Sequence, residues 1–550
     1  MRTRNNLLGL FIAALFLWCS TSNAQKAQEL FEEDLRTWWQ KDLEKDTIPG
    51  ISLDRAYGEL LKGKTGSEVI VAVLDTKIDI NHEDIKDRLW VNKDEIPNNN
   101  IDDDNNGYID DVNGWDFLGT TAGEDVVIQQ AEATRIVKRY RTKFDSIPEN
   151  KIPSDEKDAF SLYQHAKKVY DTDVADTHET IKYMDSAVVV FRRAKDTVAQ
   201  MLSRTEYTTS EVDSLANIYT DLESDLTYFS RMKSYGVSEE TYKENVVRLN
   251  EYLSTVYGLD YDDRTLLKDN PHEFSDVPYG DNTLVNNELA FQHSTPVAGL
   301  MAGTRDNGVG VNGISNNISI MPVVMVAEGD EYDKEVALAI RYAVDNGADI
   351  INMSWGKYLS LHVDWVRDAF RYAQEHDVLL VSAAGNDAKN TDEVLNYPND
   401  NIDGVEFVDN FIMAGGHTHK MDSTLVSYFS NYGKTTVDIF APASQLYAPD
   451  IKDSYEFTQG TSFASPLTAG VAALVKSYYP NLTAPELKQI LMESGSPISM
   501  EVLVPSIEES NKMIPFSELS RTGKLLNAYN ALKMAEKYSA KQLNTIKKKD

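Results

Sequence analysis

Short apolar runs rich in valine, isoleucine and leucine recur along the chain at residues 69–74, 319–326, 349–353 and 378–383. Continuous apolar runs of this kind are typical of strands buried on both faces of a parallel sheet. Two further apolar segments, residues 296–300 and 467–475, are rich in small residues and fit helices that pack closely on such a sheet. The pattern therefore predicts an α/β fold with a doubly wound, mostly parallel sheet and flanking helices.

Residues 123–264 follow a different pattern, being charged, poor in glycine and apolar at helical spacing, as in residues 185–202. The spacing predicts an all-α insertion of three to five helices. A solvated decoration and a lid or docking arm that restricts substrates both remain open for this insertion. A long insertion between segments that carry chemistry is often functional, but composition alone does not show it.

The N-terminal residues 1–24 are interpreted as a signal peptide, with a basic start, an apolar stretch too short to span a bilayer comfortably, and a small-residue cleavage site ending at Ala24. A lipoprotein acylated at Cys19 is the alternative, although Trp18 is bulky for that processing. Either reading predicts export and a mature chain with no transmembrane span. Because Cys19 is the one cysteine of the sequence, cleavage after Ala24 leaves no disulfide or thiolate metal site.

Residues 25–64 form a predicted N-terminal arm with a helix over residues 31–43, which contains Trp38 and Trp39, and a second helix over residues 53–61. This arm either packs on the following domain or includes a short removable pro-segment. The predicted organisation is a signal peptide (1–24), the arm (25–64), a domain formed by residues 65–122 and 265–540, and the helical insertion (123–264). Predicted helices at 486–493 and 525–535 complete the main domain.

Acidic residues strongly outnumber basic ones, 87 against 54, for a formal net charge of −33. Such a surface repels phosphate backbones, so nucleic acids and anionic membranes are not expected partners. The charge is compatible with cation binding. The sequence leaves the oligomeric state open.

Four polar residues stand at the ends of the predicted buried elements. Asp75 follows the first strand, His293 precedes one of the small-residue segments, and Asn386 ends the strand at 378–383. Ser462 follows Gly460-Thr461 at a helix start, where backbone N–H groups favour an oxyanion. Each has a structural reading as a cap or turn former when taken alone.

In their order and flanking sequence, these four residues resemble the subtilisin-like serine proteases (subtilases). The resemblance covers about residues 51–118 and 269–535, and order is informative because other serine hydrolases arrange the triad differently along the chain. Four positions depart from the family's pattern: Lys77, Ser294, Pro296 and Ala443. None of them removes a proton-transfer group or an oxyanion donor, and Lys77 is expected to point to solvent.

The resemblance implies that Ser462 is the nucleophile, His293 the general base and acid, and Asp75 the residue that orients the imidazole. It also implies an oxyanion hole formed by the Asn386 amide and the Ser462 backbone N–H, and polypeptide substrates. The segment Ser354, Trp355 and Gly356 is the expected partner strand for substrate, and Ala383, Ala384 and Gly385 the expected pocket wall. Asp387 would favour a basic residue in that pocket.

An acidic loop at residues 102–111 has the start of an EF-hand-type calcium pattern, although position twelve is Asn113 where that pattern has glutamate. The expected calcium is structural, with no cofactor needed for the chemistry, and an acidic turn without metal is the alternative. Asp281 and Asn282 are candidates for a second site, whereas His417 and His419 are expected on an exposed loop. The predicted ligands are Asp102, Asp104, Asn106, Tyr108 and Asp110.

Two functions follow from these observations. The first is an exported serine endopeptidase that works through an acyl-enzyme. The second is a calcium-dependent binding module on an inactive protease scaffold, suggested by the altered positions Lys77 and Ser294 and by the long insertion.

Overall fold

The computed structural model describes residues 30–275, 277–285, 292–508 and 511–546, so the predicted signal peptide and Cys19 lie outside the described residues. The chain divides into two compact units. One contains the described residues from 30 to Val127 and those from Arg264 onward, and is called here the sheet unit. The other, Ile128–Asp263, is called the helical unit.

The described residues form fifteen strands. They are β1 Val69–Asp75, β2 Trp115–Asp116, β3 Ile318–Val324, β4 Ile350–Met353, β5 Leu379–Ala383, β6 Asn401–Ile402, β7 Val405–Glu406, β8 Phe411–His417, β9 Ile439–Pro442, β10 Leu446–Asp450, β11 Ser454–Thr458, β12 Ser496–Pro497, β13 Glu501–Leu503, β14 Met513–Pro515 and β15 Lys524–Leu525. The four predicted strands are present as β1, β3, β4 and β5, with ends that differ by one or two residues.

Nine of these strands form one sheet in the order β12-β15-β9-β8-β5-β4-β1-β3-β2, and the remaining six described strands form three small two-stranded sheets. All neighbours in the large sheet are parallel except β12 and β15. This confirms the predicted α/β class with a mostly parallel sheet. Since β1 lies between β3 and β4, the chain changes direction across the sheet beside β1, which is where open α/β sheets place their binding crevices.

The described helices alternate with these strands. They are α1 Glu32–Leu35, α2 Leu43–Asp46, α3 Leu53–Ala56, α4 Glu132–Phe144, α5 Lys157–Leu202, α6 Thr209–Ile218, α7 Glu223–Ser234, α8 Glu239–Ser254, α9 Ser294–Ala302, α10 Asp333–Asp345, α11 Val363–Glu375, α12 Thr461–Tyr478, α13 Ala484–Ser494 and α14 Ala528–Ile546. No helix in the described part of the chain has the length and apolar character needed to cross a bilayer.

Strand β1 shows how the sheet creates two cores. Val71 and Val73 pack in one layer with Leu474 of α12, whereas Ala72 and Leu74 face the opposite layer, which contains α10. Successive side chains of a strand point to opposite faces, so a continuous apolar run supplies both layers at once. The helix α12 is buried along nearly its whole length because its residues are small and apolar.

The N-terminal arm differs from its prediction. A single helix over residues 31–43 is wrong: α1 ends at Leu35, a 3₁₀ turn covers Trp38–Gln40, and α2 begins at Leu43. The break has a local cause, because the Asp42 carboxylate accepts hydrogen bonds from the first N–H groups of α2 and so begins a new helix. Trp38 is fully buried in the core of the sheet unit, as are Ile51 and Leu53.

The helical unit contains the five helices α4 to α8, and α5 alone spans 46 residues. Its core joins α5, α6 and α7 through the buried side chains of Phe191, Val198, Val212 and Phe229. Two helices begin with reciprocal capping boxes, at Thr208 for α6 and at Ser238 for α8.

Candidate active site

Asp75 and His293 are brought together at the carboxyl end of β1. Asp75 is the last residue of that strand and is 1% exposed, and His293 precedes the first residue of α9. The imidazole Nδ1 lies 2.9 Å from both carboxylate oxygens of Asp75. Burial alone would lower the pKa of His293, but the Asp75 charge and its hydrogen bond outweigh burial and raise the pKa above 6.5.

The turn after Asp75 is joined to the start of α9. The Thr76 backbone N–H donates to Asp75 Oδ1 at 2.7 Å, and the Ser294 hydroxyl donates to the Thr76 carbonyl at 2.6 Å. The Ser294 backbone N–H completes the link by donating to Thr76 Oγ1 at 3.2 Å. Ser294, a departure from the subtilase pattern, thus links the residue after Asp75 to the residue after His293.

Lys77 is buried, so the expectation that it points to solvent is wrong. Its side chain is 4% exposed, and its ammonium lies 2.7 Å from the Asp116 carboxylate and 2.9 Å from that of Asp125. It also donates to the Thr283 carbonyl at 2.5 Å. Burial alone would lower the pKa of Lys77, but the two carboxylates raise it, so the lysine stays charged. The ammonium ties the turn after β1 to two neighbouring segments of the sheet unit.

Ser462 is the second residue of α12, preceded by Gly460 with φ of +143°. Pro466 lies in the second turn of this helix. Pro466 has no N–H to donate to the Ser462 carbonyl, and the Ser354 hydroxyl takes that role at 2.8 Å. The proline thereby lets Ser354 of the predicted substrate strand bind directly to the backbone of Ser462. The ring of Phe463 lies 5.6 Å from the His293 ring, between centroids, which puts the imidazole beside this helix start.

Asn386 is exposed, but its orientation is fixed. Its Oδ1 accepts hydrogen bonds from the backbone N–H of Thr461 at 2.8 Å and from the Thr461 hydroxyl at 3.0 Å. The same hydroxyl accepts from the Gly385 backbone N–H at 3.0 Å. With Oδ1 held by the residue before Ser462, the Nδ2 donors of Asn386 are directed away from Thr461. The arrangement suits the stabilisation of negative charge near Ser462.

A cavity of about 260 Å³ adjoins Ser462 and Asn386. The predicted residues Ser354, Trp355, Gly356, Ala383 and Gly385 all line it. Ala384 does not, since it is fully buried, and its carbonyl accepts hydrogen bonds from the side-chain amides of two neighbouring asparagines. The cavity is also lined by four residues outside the predicted site: Glu331, Tyr358, Asp387 and Asn396. Of these, only Asp387 had been singled out from the sequence.

Acidic side chains also gather around the loop that precedes β2. Carboxylate oxygens of Glu95, Asp104 and Asp111 lie within 4.8 Å of one another, the only such cluster of three metal-ligating residues among the described ones. Burial raises the pKa of Asp111 to about 6. Hard oxygens at this spacing fit a calcium ion.

The predicted EF-hand set is only partly gathered there. Asp104 belongs to the cluster, and the Asn106 amide donates to Asp104 and Asp111 at 3.1 Å each. Asp102 instead accepts from the backbone N–H groups of Asn106 and Gly107, and Asp110 from those of residues 99 and 100. The Tyr108 ring packs on Trp115 and Tyr342. Glu95 could not be selected from the loop pattern because it lies outside residues 102–111, whereas Asp111 lies within the loop as a carboxylate that can substitute for the missing glutamate.

The candidates for a second metal site, Asp281 and Asn282, form hydrogen bonds with other residues of the protein. Asp281 accepts from the Thr283 N–H at 2.8 Å, and Asn282 donates to the Asp110 carbonyl at 2.9 Å. His417 is the last residue of β8 and fully buried, so its prediction as an exposed loop residue is wrong. Between ring centroids, His417 and His419 both lie within 6 Å of Trp38 of the N-terminal arm.

The chain belongs to the subtilase family, whose model matches residues 66–502. The cell wall-associated protease of Bacillus subtilis (strain 168) is 33% identical over 226 residues, which are 41% of this chain and 23% of that protein. The thermophilic serine proteinase of Bacillus sp. (strain AK1) is 32% identical over 230 residues, 42% and 51% of the two chains. Thermitase of Thermoactinomyces vulgaris is 36% identical over 186 residues, 34% and 61%. The matches thus cover less than two thirds of each of these relatives.

Proposed function

We propose that this subtilase is an exported serine endopeptidase that hydrolyses peptide bonds. The observation that carries the proposal is the direct contact of His293 with the buried Asp75, combined with Ser462 and Asn386 at one cavity. In the proposed mechanism the Ser462 hydroxyl attacks the scissile carbonyl while His293 accepts its proton. The imidazolium then protonates the leaving amine, and water cleaves the acyl-enzyme by the same steps.

Each supporting residue has a defined part in this mechanism. The Asp75 carboxylate keeps the proton of His293 on Nδ1, which leaves Nε2 as the basic atom, and stabilises the imidazolium. The Asn386 amide and the Ser462 backbone N–H would donate to the oxyanion. Loss of one such donor costs about 10²–10³ in turnover, a magnitude the subtilisin family itself supplied. Polypeptide substrates would pair with the segment from Ser354 to Gly356.

The experiment is active-site labelling of the intact chain by a fluorophosphonate, with Ser462→Ala as the control. We expect labelling and casein hydrolysis by the parent and neither by the variant, with equal circular dichroism spectra showing that both are folded. An unlabelled, folded parent would favour the binding module on an inactive scaffold. The printed names of the cell wall-associated protease and of the thermophilic serine proteinase support the enzyme.

Export is proposed from the predicted signal peptide, and the printed name of the cell wall-associated relative supports it. N-terminal sequencing of the protein recovered from outside the cytoplasmic membrane should begin at Gln25. A chain that begins at an acylated Cys19, and that loses its membrane association in Cys19→Ser, would show the lipoprotein route instead.

We also propose a structural calcium ion held by Glu95, Asp104 and Asp111. Because a bound ion stabilises the folded state alone, calcium at 100 times its Kd should add about 2.7 kcal/mol. Thermal unfolding of Ser462→Ala with calcium and with EDTA measures this. Asp111→Asn should abolish the calcium-dependent rise in Tm, and Asp87→Asn, an exposed acid, should keep it. Equal Tm values in calcium and EDTA would refute the site.

A further inference from the structure

One polar residue interrupts the apolar strand β4. Ile350, Ile351 and Met353 are fully buried, and Asn352 between them is fully buried as well. The strand pairs with β1 on one side and with β5 on the other, which places the amide in the middle of the sheet. Burying an amide is costly unless its donor and acceptor groups are hydrogen-bonded, so the partners of Asn352 indicate what it does there.

Two serines satisfy the Asn352 amide. Its Oδ1 accepts from the Ser465 hydroxyl at 2.6 Å, and its Nδ2 donates to Ser354 Oγ at 2.9 Å. The Ser465 hydroxyl has the Val381 carbonyl as a second, longer acceptor at 3.3 Å. Ser465 belongs to α12 and lies three residues after Ser462, whereas Ser354 immediately follows β4. The amide therefore joins the end of β4 to the start of the helix that carries Ser462.

The donors in this chain of hydrogen bonds all point the same way. The Asn352 Nδ2 group can only donate, so the Ser354 hydroxyl accepts from it and keeps its single proton for another partner. That partner is the Ser462 carbonyl at 2.8 Å. The chain thus runs from Ser465 through Asn352 and Ser354 to Ser462, and its members other than Ser462 are at most 4% exposed. Buried hydrogen bonds in series strengthen one another.

The end of this chain replaces a hydrogen bond that the helix lacks. In a regular helix the Ser462 carbonyl would accept from the N–H of residue 466, which is a proline and has none. The same residue carries the proposed nucleophilic hydroxyl and one proposed oxyanion donor, its backbone N–H. A displacement of about 1 Å between reacting groups can cost about 10²-fold in rate, so the hold on this backbone bears directly on turnover.

We propose that Asn352 is a positioning residue for the nucleophile. Acting through the Ser354 hydroxyl, it fixes the Ser462 carbonyl and so holds the backbone that presents the Ser462 hydroxyl and N–H. The proposal rests on the proposed endopeptidase function and adds to it a residue that does not line the cavity beside Ser462. Loss of the amide should therefore slow the chemical steps and leave substrate binding unchanged.

The test compares Asn352→Ala and Ser465→Ala with the parent on one peptide, with kcat expressed per active site titrated by the fluorophosphonate. Unfolded enzyme is not titrated, so this normalisation removes any effect of the fraction folded. We expect Asn352→Ala to lower kcat about tenfold, in line with the loss of a buried hydrogen bond, with KM within about twofold of the parent and an unchanged pH profile. Ser465→Ala should lower kcat by several-fold, because it loosens the amide without removing it.

A double variant shows whether Asn352 acts through Ser354. Once Ser354→Ala has removed the hydroxyl, Asn352→Ala has nothing left to orient, so the double variant should be about as fast as Ser354→Ala alone. Independent contributions would multiply instead and make the double variant about tenfold slower than Ser354→Ala.

The controls are two buried polar residues of the same unit away from Ser462. Asn410 is fully buried and donates to the Val378 carbonyl at 2.6 Å, before the first residues of β8 and β5. Ser477 lies near the far end of α12, where its hydroxyl donates to the Ser67 carbonyl at 2.8 Å. Asn410→Ala and Ser477→Ala should keep the parent kcat per titrated site.

An Asn352→Ala enzyme with the parent kcat per titrated site would overturn the proposal, as would multiplied effects in the double variant. If Asn352→Ala does not fold, Ser465→Ala against Ser477→Ala decides, and equal kcat values for these two would overturn it. Failure of the endopeptidase function gives a different result, since the parent itself would then be neither labelled nor active.

Discussion

His293 and His417 lie in the same sheet unit, and the protein makes opposite use of them. The His293 ring is 17% exposed and contacts both oxygens of Asp75, which raise its pKa above 6.5. The His417 ring is fully buried, Nδ1 is 2.9 Å from the Thr418 carbonyl, and the ring packs against that of Trp38. Burial lowers the pKa of His417 to about 4.

The difference shows that a carboxylate in contact, more than burial, decides whether a histidine here can carry a proton. Both rings lose hydration, which disfavours the imidazolium. Only at His293 does a neighbouring charge reverse that penalty, and this makes it suited to accept and return a proton near neutral pH. Lys77 follows the same rule, because two carboxylates keep a buried ammonium charged.

The strongest way to break the comparison is to remove the carboxylate from His293. Asp75→Asn should lower kcat/KM by about 10⁴-fold, as loss of the orienting aspartate does in serine proteases. The acid limb of the pH profile should also move to lower pH, since the cause of the raised pKa is gone. Steady-state kinetics on one peptide at several pH values measures both effects.

The control for this change is Asp87→Asn, which alters an exposed aspartate of the same unit. Its activity and pH profile should match those of the parent. An Asp75→Asn enzyme within tenfold of the parent would remove Asp75 from the proposed mechanism.

Lys77→Met tests the rule on a second buried cation. It leaves the carboxylates of Asp116 and Asp125 without their ammonium, and such a loss typically destabilises a protein by about 3–5 kcal/mol. Urea unfolding in the Ser462→Ala background, which prevents self-digestion, gives the free energy of unfolding. Lys64→Met at an exposed lysine should change it little, and equal stability of the two variants would contradict the ion-pair account.

The low pKa of His417 predicts that the folded protein loses stability in acid. Its folded pKa of about 4 lies below the ordinary 6.5, so between these values the unfolded chain binds a proton that the folded chain does not. Its contribution is fully present above pH 6.5 and is lost as the pH falls toward 4, by about 3 kcal/mol in all. The free energy of unfolding of Ser462→Ala should therefore drop more steeply from pH 7 to pH 4.5 than that of the same chain with His417→Gln. Parallel curves for the two chains would show that His417 does not titrate in this way.

The smallest expected effect comes from the hydrogen bonds between Ser294 and Thr76, which join the segments that carry His293 and Asp75. Ser294→Ala removes the hydrogen bond to the Thr76 carbonyl, which is worth about 1 kcal/mol. We expect kcat/KM to fall by several-fold with the pH profile unchanged, because the Asp75–His293 contact remains. Ser427→Ala, which removes a buried serine bond to Ser444, serves as the matched control. A loss in Ser294→Ala no greater than in this control would leave the link without a catalytic role.

Much of the fold could be predicted from local pattern. The four central strands can be recognised as apolar runs, because a strand between two helical layers needs apolar side chains on both faces. The arm could not be predicted in the same way, since its apolar spacing fits one helix, whereas α1 ends at Leu35 and the Asp42 cap starts a separate helix at Leu43. The burial of His417 could not be predicted either, since one of the rings it packs against, that of Trp38, comes nearly four hundred residues earlier in the chain.

The candidate site also has a part that the sequence could predict and a part that it could not. Asp75, His293, Asn386 and Ser462 stand at element ends within recognisable motifs, so the sequence alone determined the α/β class, the family resemblance and the residues of the proposed chemistry. Only the tertiary structure decided that Lys77 is buried, that Glu95 and Asp111 join Asp104, and that Glu331 lines the cavity beside Ser462. The physical reason is that local patterns record which face of an element is buried, whereas the charge state and role of a polar side chain depend on partners that the chain brings from distant segments.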